Sequence, residues 1–187
     1  MNAFSFGVAC NPNALPPVNW QWISAFSPYS IDLNDSYYIN ENGTFKRQDS
    51  ALSFERPMAT SVARSADYDN DGDLDIFVGE RYKVNIYGEP GSGYLLNNNG
   101  NGSFETVALD AFKNLGMITD AAWTDINQDG RIDLVVVGEW MSVKIFLNLE
   151  TGFEDRSEAY QLNETSGLWS TLHVIDIDKD GDKTLLF

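Results

Sequence analysis

A nine-residue frame, D-x-[DN]-x-D-G-x-x-D, constrains this chain more than any other feature. It first appears as DYDNDGDLD, Asp67 to Asp75, where five aspartates crowd into nine residues with no cation among them. It returns as DINQDGRID, Asp125 to Asp133, and as DIDKDGDKT, Asp176 to Thr184, with starts 58 and then 51 residues apart. Neighbouring carboxylates repel one another, and each loses hydration as the chain closes around it. Such a loop either stays open and wet or folds around something strongly positive.

The flanks repeat along with the loops. SVARSA, DAAWT and TLHVI precede them, and IFVGER, LVVVGEW and LLF follow. These runs are short, β-branched or aromatic, and lack helical periodicity, so they read as strands. A second element recurs as YYINENGTFKRQ (Tyr37 to Gln48), YLLNNNGNGSFETV (Tyr94 to Val107) and IFLNLETGFEDRS (Ile145 to Ser157). Each is a strand, an Asn/Gly or Gly-containing turn and a strand, and such turns need the positive φ that Asn and Gly supply. The unit is therefore four strands in about 50 to 60 residues, the period and form of a β-propeller blade. The expected fold is all-β, with blades of four antiparallel strands. Two full blades are expected at about 62–110 and 119–160, a half blade at 36–50 and another half blade at 168–187. Residues 1–35 are left unplaced.

The loop chemistry points to Ca²⁺, which takes about 6–8 oxygen ligands at ~2.3–2.6 Å. The expected ligands are the side chains of Asp67, Asp69, Asp71 and Asp75 with the backbone carbonyl of Asp73. The second set is Asp125, Asn127, Asp129, the Arg131 carbonyl and Asp133; the third is Asp176, Asp178, Asp180 and the Asp182 carbonyl. Thr184 stands where the third closing aspartate should be, so that site is expected to be weaker, or rescued by the Asp182 side chain or by water. Mg²⁺ prefers a small octahedral shell with retained waters, and Zn²⁺ prefers His and Cys, of which the chain has one each. An EF-hand would need a glutamate at the twelfth loop position and helices on either side. The twelfth positions here are Val78, Val136 and Phe187.

With these residues in place, the sequence resembles the FG-GAP (or VCBS) repeat family, through ADYDNDGDLDIFVGE, TDINQDGRIDLVVVGEW and IDIDKDGDKTLLF. The resemblance covers 36–187 and implies integrin-α-like propeller blades with calcium in the loop joining two strands. The hairpins YLLNNNGNGSF and YYINENGTF are similar to those of the bacterial and cartilage-acidic-protein-like branch. Family propellers usually have seven blades, whereas this chain supplies nearly three. The expectation is a piece of a longer protein, or a ring completed by partner copies through exposed blade edges.

Bulk properties narrow the function. The net charge of −16, from 28 acidic and 12 basic residues, argues against nucleic acid as a partner. No run of 18 apolar residues is present, so no membrane span is expected. Cys10 is the only cysteine, which excludes an internal disulfide. Gly7-Val8-Ala9-Cys10 is similar to a lipoprotein cleavage box, but no basic n-region precedes it. The expected role is a non-enzymatic, calcium-stabilised binding or adhesion module, extracellular or periplasmic, with a protein or glycan ligand. The alternatives are a calcium-dependent polysaccharide lyase or hydrolase and a self-assembling structural protein. The one histidine, His173, reads as a packed strand residue before it reads as a general base. Trp123 and Trp169 read as strand-one packing residues, Trp140 as a strand-end residue able to stack on a sugar, and Glu80 and Glu139 as features of blade position.

Overall fold

The computed structural model describes residues 35–48, 52, 54, 58–83, 86–107 and 109–187. Cys10, Trp20, Trp22 and most of the N-terminal segment lie outside the described residues. Strands β1 (Tyr38–Glu41) and β2 (Thr44–Arg47) form a hairpin closed by Asn42 and Gly43. Both turn residues have positive φ, 53° and 88°, the geometry that matches strand twist in a two-residue hairpin.

The first sheet comprises β3 (Thr60–Ala66) and β4 (Asp75–Glu80). A small hairpin, β5 (Tyr82–Lys83) and β6 (Ile86–Pro90), then leads to β7 (Gly93–Asn98) and β8 (Phe104–Val107). The sheet is antiparallel in the order β3-β4-β7-β8. A 3₁₀ turn, Asp110–Phe112, connects it to the next. The second sheet repeats the pattern with β9 (Met117–Thr124), β10 (Asp133–Met141), β11 (Lys144–Leu149) and β12 (Gly152–Asp155). A short strand, β13 (Gly167–Leu168), adds to the far end of β10, opposite Glu139 and Met141. The last pair is β14 (His173–Ile175) with β15 (Thr184–Leu186). The fold is all-β, and its four-stranded sheets are consistent with partial propeller blades.

The sheets stack because their second strands are apolar on both faces. On β4, Ile76 and Val78 pack with Tyr37, Met58, Leu96 and Phe104, while Phe77 faces the opposite way. Phe77 joins Phe112, Ile118, Leu134, Val136 and Phe146 in the layer between the two full sheets. On β10 the alternation shifts one layer along, since Val135 and Val137 pack with Val143, Ile145 and Leu172. The two-residue period of a strand thus assigns successive side chains to successive inter-sheet layers.

Strand-one residues stitch the sheets where they meet. Ser61 Oγ donates to the Ile118 carbonyl (2.6 Å), and Thr119 Oγ1, in the same position one repeat later, donates to the Trp169 carbonyl (2.6 Å). Asp120 accepts from the Arg64 guanidinium on one side and from the Leu172 N–H (2.8 Å) on the other. Two expectations change here. Trp169 lies between β13 and β14 rather than on strand one, with its ring edge-on to Phe187. His173 is in a strand but exposed, because β14 has only β15 as a partner strand among the described residues.

Phe112 is the hub of the middle layer. It is fully buried and meets Phe77, Phe146 and Phe153 at centroid distances of 5.7, 4.9 and 5.3 Å. Replacing it should open a large cavity, so Phe112→Ala is expected to lower unfolding free energy by about 3–5 kcal/mol. Phe45→Ala, on the exposed β2, should change it by less than about 0.5 kcal/mol. Urea denaturation of both variants checks the pair.

Candidate metal centre

Each acidic loop connects strand one to strand two of its sheet, and the three share one backbone path. The fourth residue has positive φ: Asn70 (60°), Gln128 (59°) and Lys179 (64°). The sixth is glycine at 95°, 87° and 99°, for Gly72, Gly130 and Gly181, which allows the chain to turn back sharply. That turn aims the sixth N–H at the first aspartate: Gly72 to Asp67 Oδ2 (3.1 Å), Gly130 to Asp125 Oδ2 (2.8 Å) and Gly181 to Asp176 Oδ2 (3.1 Å). The seventh N–H donates to the fifth side chain at 2.9 Å in every loop, from Asp73, Arg131 and Asp182 to Asp71, Asp129 and Asp180.

This path gathers carboxylates. Oxygens of Asp67, Asp69 and Asp71 lie within 4.8 Å of one another, as do those of Asp176, Asp178 and Asp180. Asp67 Oδ1 and Asp176 Oδ1 are buried and accept no hydrogen bond among the described residues. A buried oxygen without a donor is costly, and here it faces other carboxylates, so the missing partner has the character of a cation. The two triplets could hold a metal ion.

The middle loop is arranged differently. Asn127 replaces the second aspartate, and its amide donates to Asp129 Oδ2 (2.9 Å). The Arg131 guanidinium donates to the same oxygen (2.6 Å), and Asp125 Oδ1 accepts the Asp129 N–H (3.1 Å). The Arg131 N–H, the Asn127 amide and the Arg131 charge hold the Asp129 carboxyl below its ordinary range. This loop supplies part of its own neutralisation.

The ninth aspartates are fully buried at the starts of β4 and β10. Asp75 accepts the Asn98 N–H (2.9 Å) on one oxygen and, at longer range, the Tyr68 N–H (3.4 Å) on the other. Asp133 does the same with the Asn148 N–H (2.8 Å) and the Ile126 N–H (3.0 Å). Each carboxylate ties its own loop to the third strand of its sheet, and each oxygen keeps a lone pair. Burial pushes the Asp75 carboxyl up to about 6 despite these donors, and the charges of Asp69 and Asp71 add to the rise. Burial, with the same three carboxylates, raises the Tyr68 hydroxyl to about 12. Thr184 occupies the ninth position of the third loop, and Asp182 Oδ1 accepts from the Gln128 side chain (3.1 Å) of the second.

Asn98 and Asn148 are the residues that sequence reasoning missed. They stand in the hairpin runs NNNG and LNLETG, whose sequence signal is turn chemistry alone. The other candidates lie elsewhere. Glu80 is buried and takes Lys83 Nζ (3.1 Å), and Glu139 pairs with the Arg81 guanidinium of the first sheet. Trp140 is exposed at the end of β10 away from the loop, with φ of 56°.

Residues 22–78, 84–136 and 125–187 each match the profile of the FG-GAP-like repeat family. The match begins upstream of residue 36, where the resemblance was expected to start. No curated protein matches the chain.

The Asp75 shift has a definite sign. Its folded value lies above its unfolded one, so its stabilising contribution is complete below about pH 4 and is lost as pH rises through about 6. In protein stripped of divalent ions, the Asp75 carboxyl ¹³C resonance is expected to titrate with a midpoint near 6. A midpoint near 4, the ordinary carboxylate value, would show that the loop does not crowd it.

Proposed function

The chain belongs to the FG-GAP-like repeat family, and from that premise we propose that it is a calcium-stabilised, non-enzymatic binding module built of propeller blades. The blades span about 62–110 and 119–160, with half blades at 36–50 and 168–187. Calcium is held in the first loop by Asp67, Asp69, Asp71 and Asp75 with the Asp73 carbonyl. The second loop uses Asp125, Asn127, Asp129, Asp133 and the Arg131 carbonyl, and the third uses Asp176, Asp178, Asp180 and the Asp182 carbonyl. The observation that carries this reading is the pair of buried, donorless oxygens on Asp67 and Asp176, each set among carboxylates.

Calcium suits these loops by chemistry. The donors are hard oxygens, they alternate along the loop, and they come with flexible side chains that tolerate a large shell. The ion would supply charge neutralisation and a fixed point joining strand one to strand two. Where the surroundings are rich in calcium, as outside the cell or in the periplasm, even weak sites of ~10⁻⁴–10⁻³ M fill, and we place the protein there. No helix among the described residues is long and apolar enough to cross a membrane.

The ligand, a protein segment or a glycan, docks on the blade-end loops. A cleft of ≈ 350 Å³ beside the first loop supports that placement, with Tyr68, Leu95, Leu109 and Phe153 as apolar walls and Asn70 and Arg131 among the polar lining. A glycan array run with calcium and with chelator tests it: calcium-dependent retention of a glycan class supports a sugar ligand.

Calcium at 100 times its dissociation constant should stabilise the fold by about 2.7 kcal/mol per site, and excess chelator should lower the melting temperature correspondingly. Melting that ignores both additions removes the structural role of the metal. Asp71→Ala should weaken the first site more than Asp182→Ala weakens the third, because Asp71 contributes its carboxylate and Asp182 its carbonyl. Isothermal titration of the two variants measures the difference.

A further inference from the structure

We propose that Asn148 couples the first and second calcium loops, so that occupancy of either raises the affinity of the other. This inference rests on the calcium reading above and concerns how the sites act on one another.

Asn148 lies on β11, in the second sheet, and is buried. Its three polar groups each engage a loop or a loop partner. The backbone N–H donates to Asp133 Oδ1 (2.8 Å), the closing aspartate of the second loop. The carbonyl accepts Arg131 Nε (2.6 Å), the seventh residue of that loop. The side-chain amide crosses the sheet interface and donates to the Tyr68 carbonyl (2.7 Å), the second residue of the first loop. The Tyr68 N–H in turn faces Asp75, the closing aspartate of the first loop. A continuous set of hydrogen bonds therefore runs from Asp133 through Asn148 and Tyr68 to Asp75.

The equivalent residue one repeat earlier makes no such crossing. Asn98 makes the same backbone bond, to Asp75 Oδ1 (2.9 Å), but its amide turns to the Leu74 carbonyl (3.2 Å) of its own loop. The ring of Tyr68 reinforces the crossing, since it lies stacked on Trp123 (6.3 Å, 10°) and against Phe153 (5.7 Å), both from the second sheet. The first loop is thus positioned on one side by its own sheet and on the other by its neighbour. A cation that fixes Asp133 fixes the strand carrying Asn148, and the first loop then loses less freedom when it binds. Asn148 is a positioning residue, and its own side chain is already committed to Tyr68.

The test needs a probe that reports on the first loop alone. Terbium is an oxygen-seeking ion whose emission is excited by adjacent aromatic rings. The second residue of the loop is Tyr68 in the first repeat but Ile126 and Ile177 in the others. Tyr160 faces Asp129 and Asp133 of the second loop, so the first-loop affinity is read from the part of the calcium-displaceable terbium emission that Asp71→Ala removes. Asp129→Asn weakens the second site by removing one of its carboxylates. In the native chain this change is expected to lower first-loop affinity by about 5-fold or more, the lower end of ordinary site coupling. With Asn148→Ala also present, Asp129→Asn should alter first-loop affinity by less than about twofold, because the link is already cut. Circular dichroism establishes that each variant retains its sheets. Should Asn148→Ala not fold, the comparison of native chain with Asp129→Asn still decides, since an unchanged first-loop affinity overturns the coupling. Equal effects of Asp129→Asn with and without Asn148→Ala overturn the role of Asn148. Absence of calcium and terbium uptake by any loop instead overturns the calcium reading itself.

Discussion

Repulsion among aspartates in a closed loop is the constraint on which the arrangement of the sheets depends. Each of the first two loops joins the strand that meets the neighbouring sheets to the strand buried on both faces. The geometry of the loop therefore sets how those two strands pair. The ninth aspartate extends that control, because Asp75 and Asp133 reach the N–H groups of Asn98 and Asn148 on the third strand. One carboxylate thus fixes strands one, two and three together. A lysine or an apolar residue at these positions would leave backbone donors unmatched in the core. In the third repeat Thr184 holds the ninth position, so that loop has no carboxylate at the start of β15.

Packing between sheets follows from the same strands. β4 and β10 carry IFV and LVVV, which have no polar face to give to solvent. They are stable only if another sheet lies on each side, so the repeat cannot bury its apolar surface alone. Polar groups then appear at the junctions with defined partners. Ser61 bonds to the next sheet, Thr119 makes the equivalent bond to the connection after β13, and Asp120 links Arg64 behind it to Leu172 ahead. These contacts fix the relative placement of the sheets, which apolar contact by itself would leave loosely determined.

Most of this was legible because the signal repeats. A single DxDxDG run is ambiguous, but three runs with glycine in the same place and apolar strands after them define a unit. The hairpin Asn42-Gly43 was readable from turn chemistry alone. What was not readable has a common cause, which is that it depends on neighbours distant in sequence. Asn98 and Asn148 look alike in the chain, yet one amide stays within its loop and the other crosses to Tyr68, a residue 80 positions away. Trp169 reads as a strand residue, but β13 inserts before it and moves it into a connection. His173 reads as packed, but its exposure depends on which strands flank β14.

The three loops also differ in how far the protein itself answers its own charge. The first has five aspartates and no cation, the second has three with Arg131, and the third has four with Lys179 and Lys183. In the second, Arg131 and Asn127 complete the hydrogen bonding of Asp129, and Asp125 has donors on both oxygens. In the first and third, one oxygen of the leading aspartate remains without a donor. The second loop therefore meets part of its own charge, whereas the first depends more fully on an added cation. Asn148 places the second loop in direct contact with the first. A cation held at the second loop would, through that contact, steady the frame against which the more highly charged first loop closes.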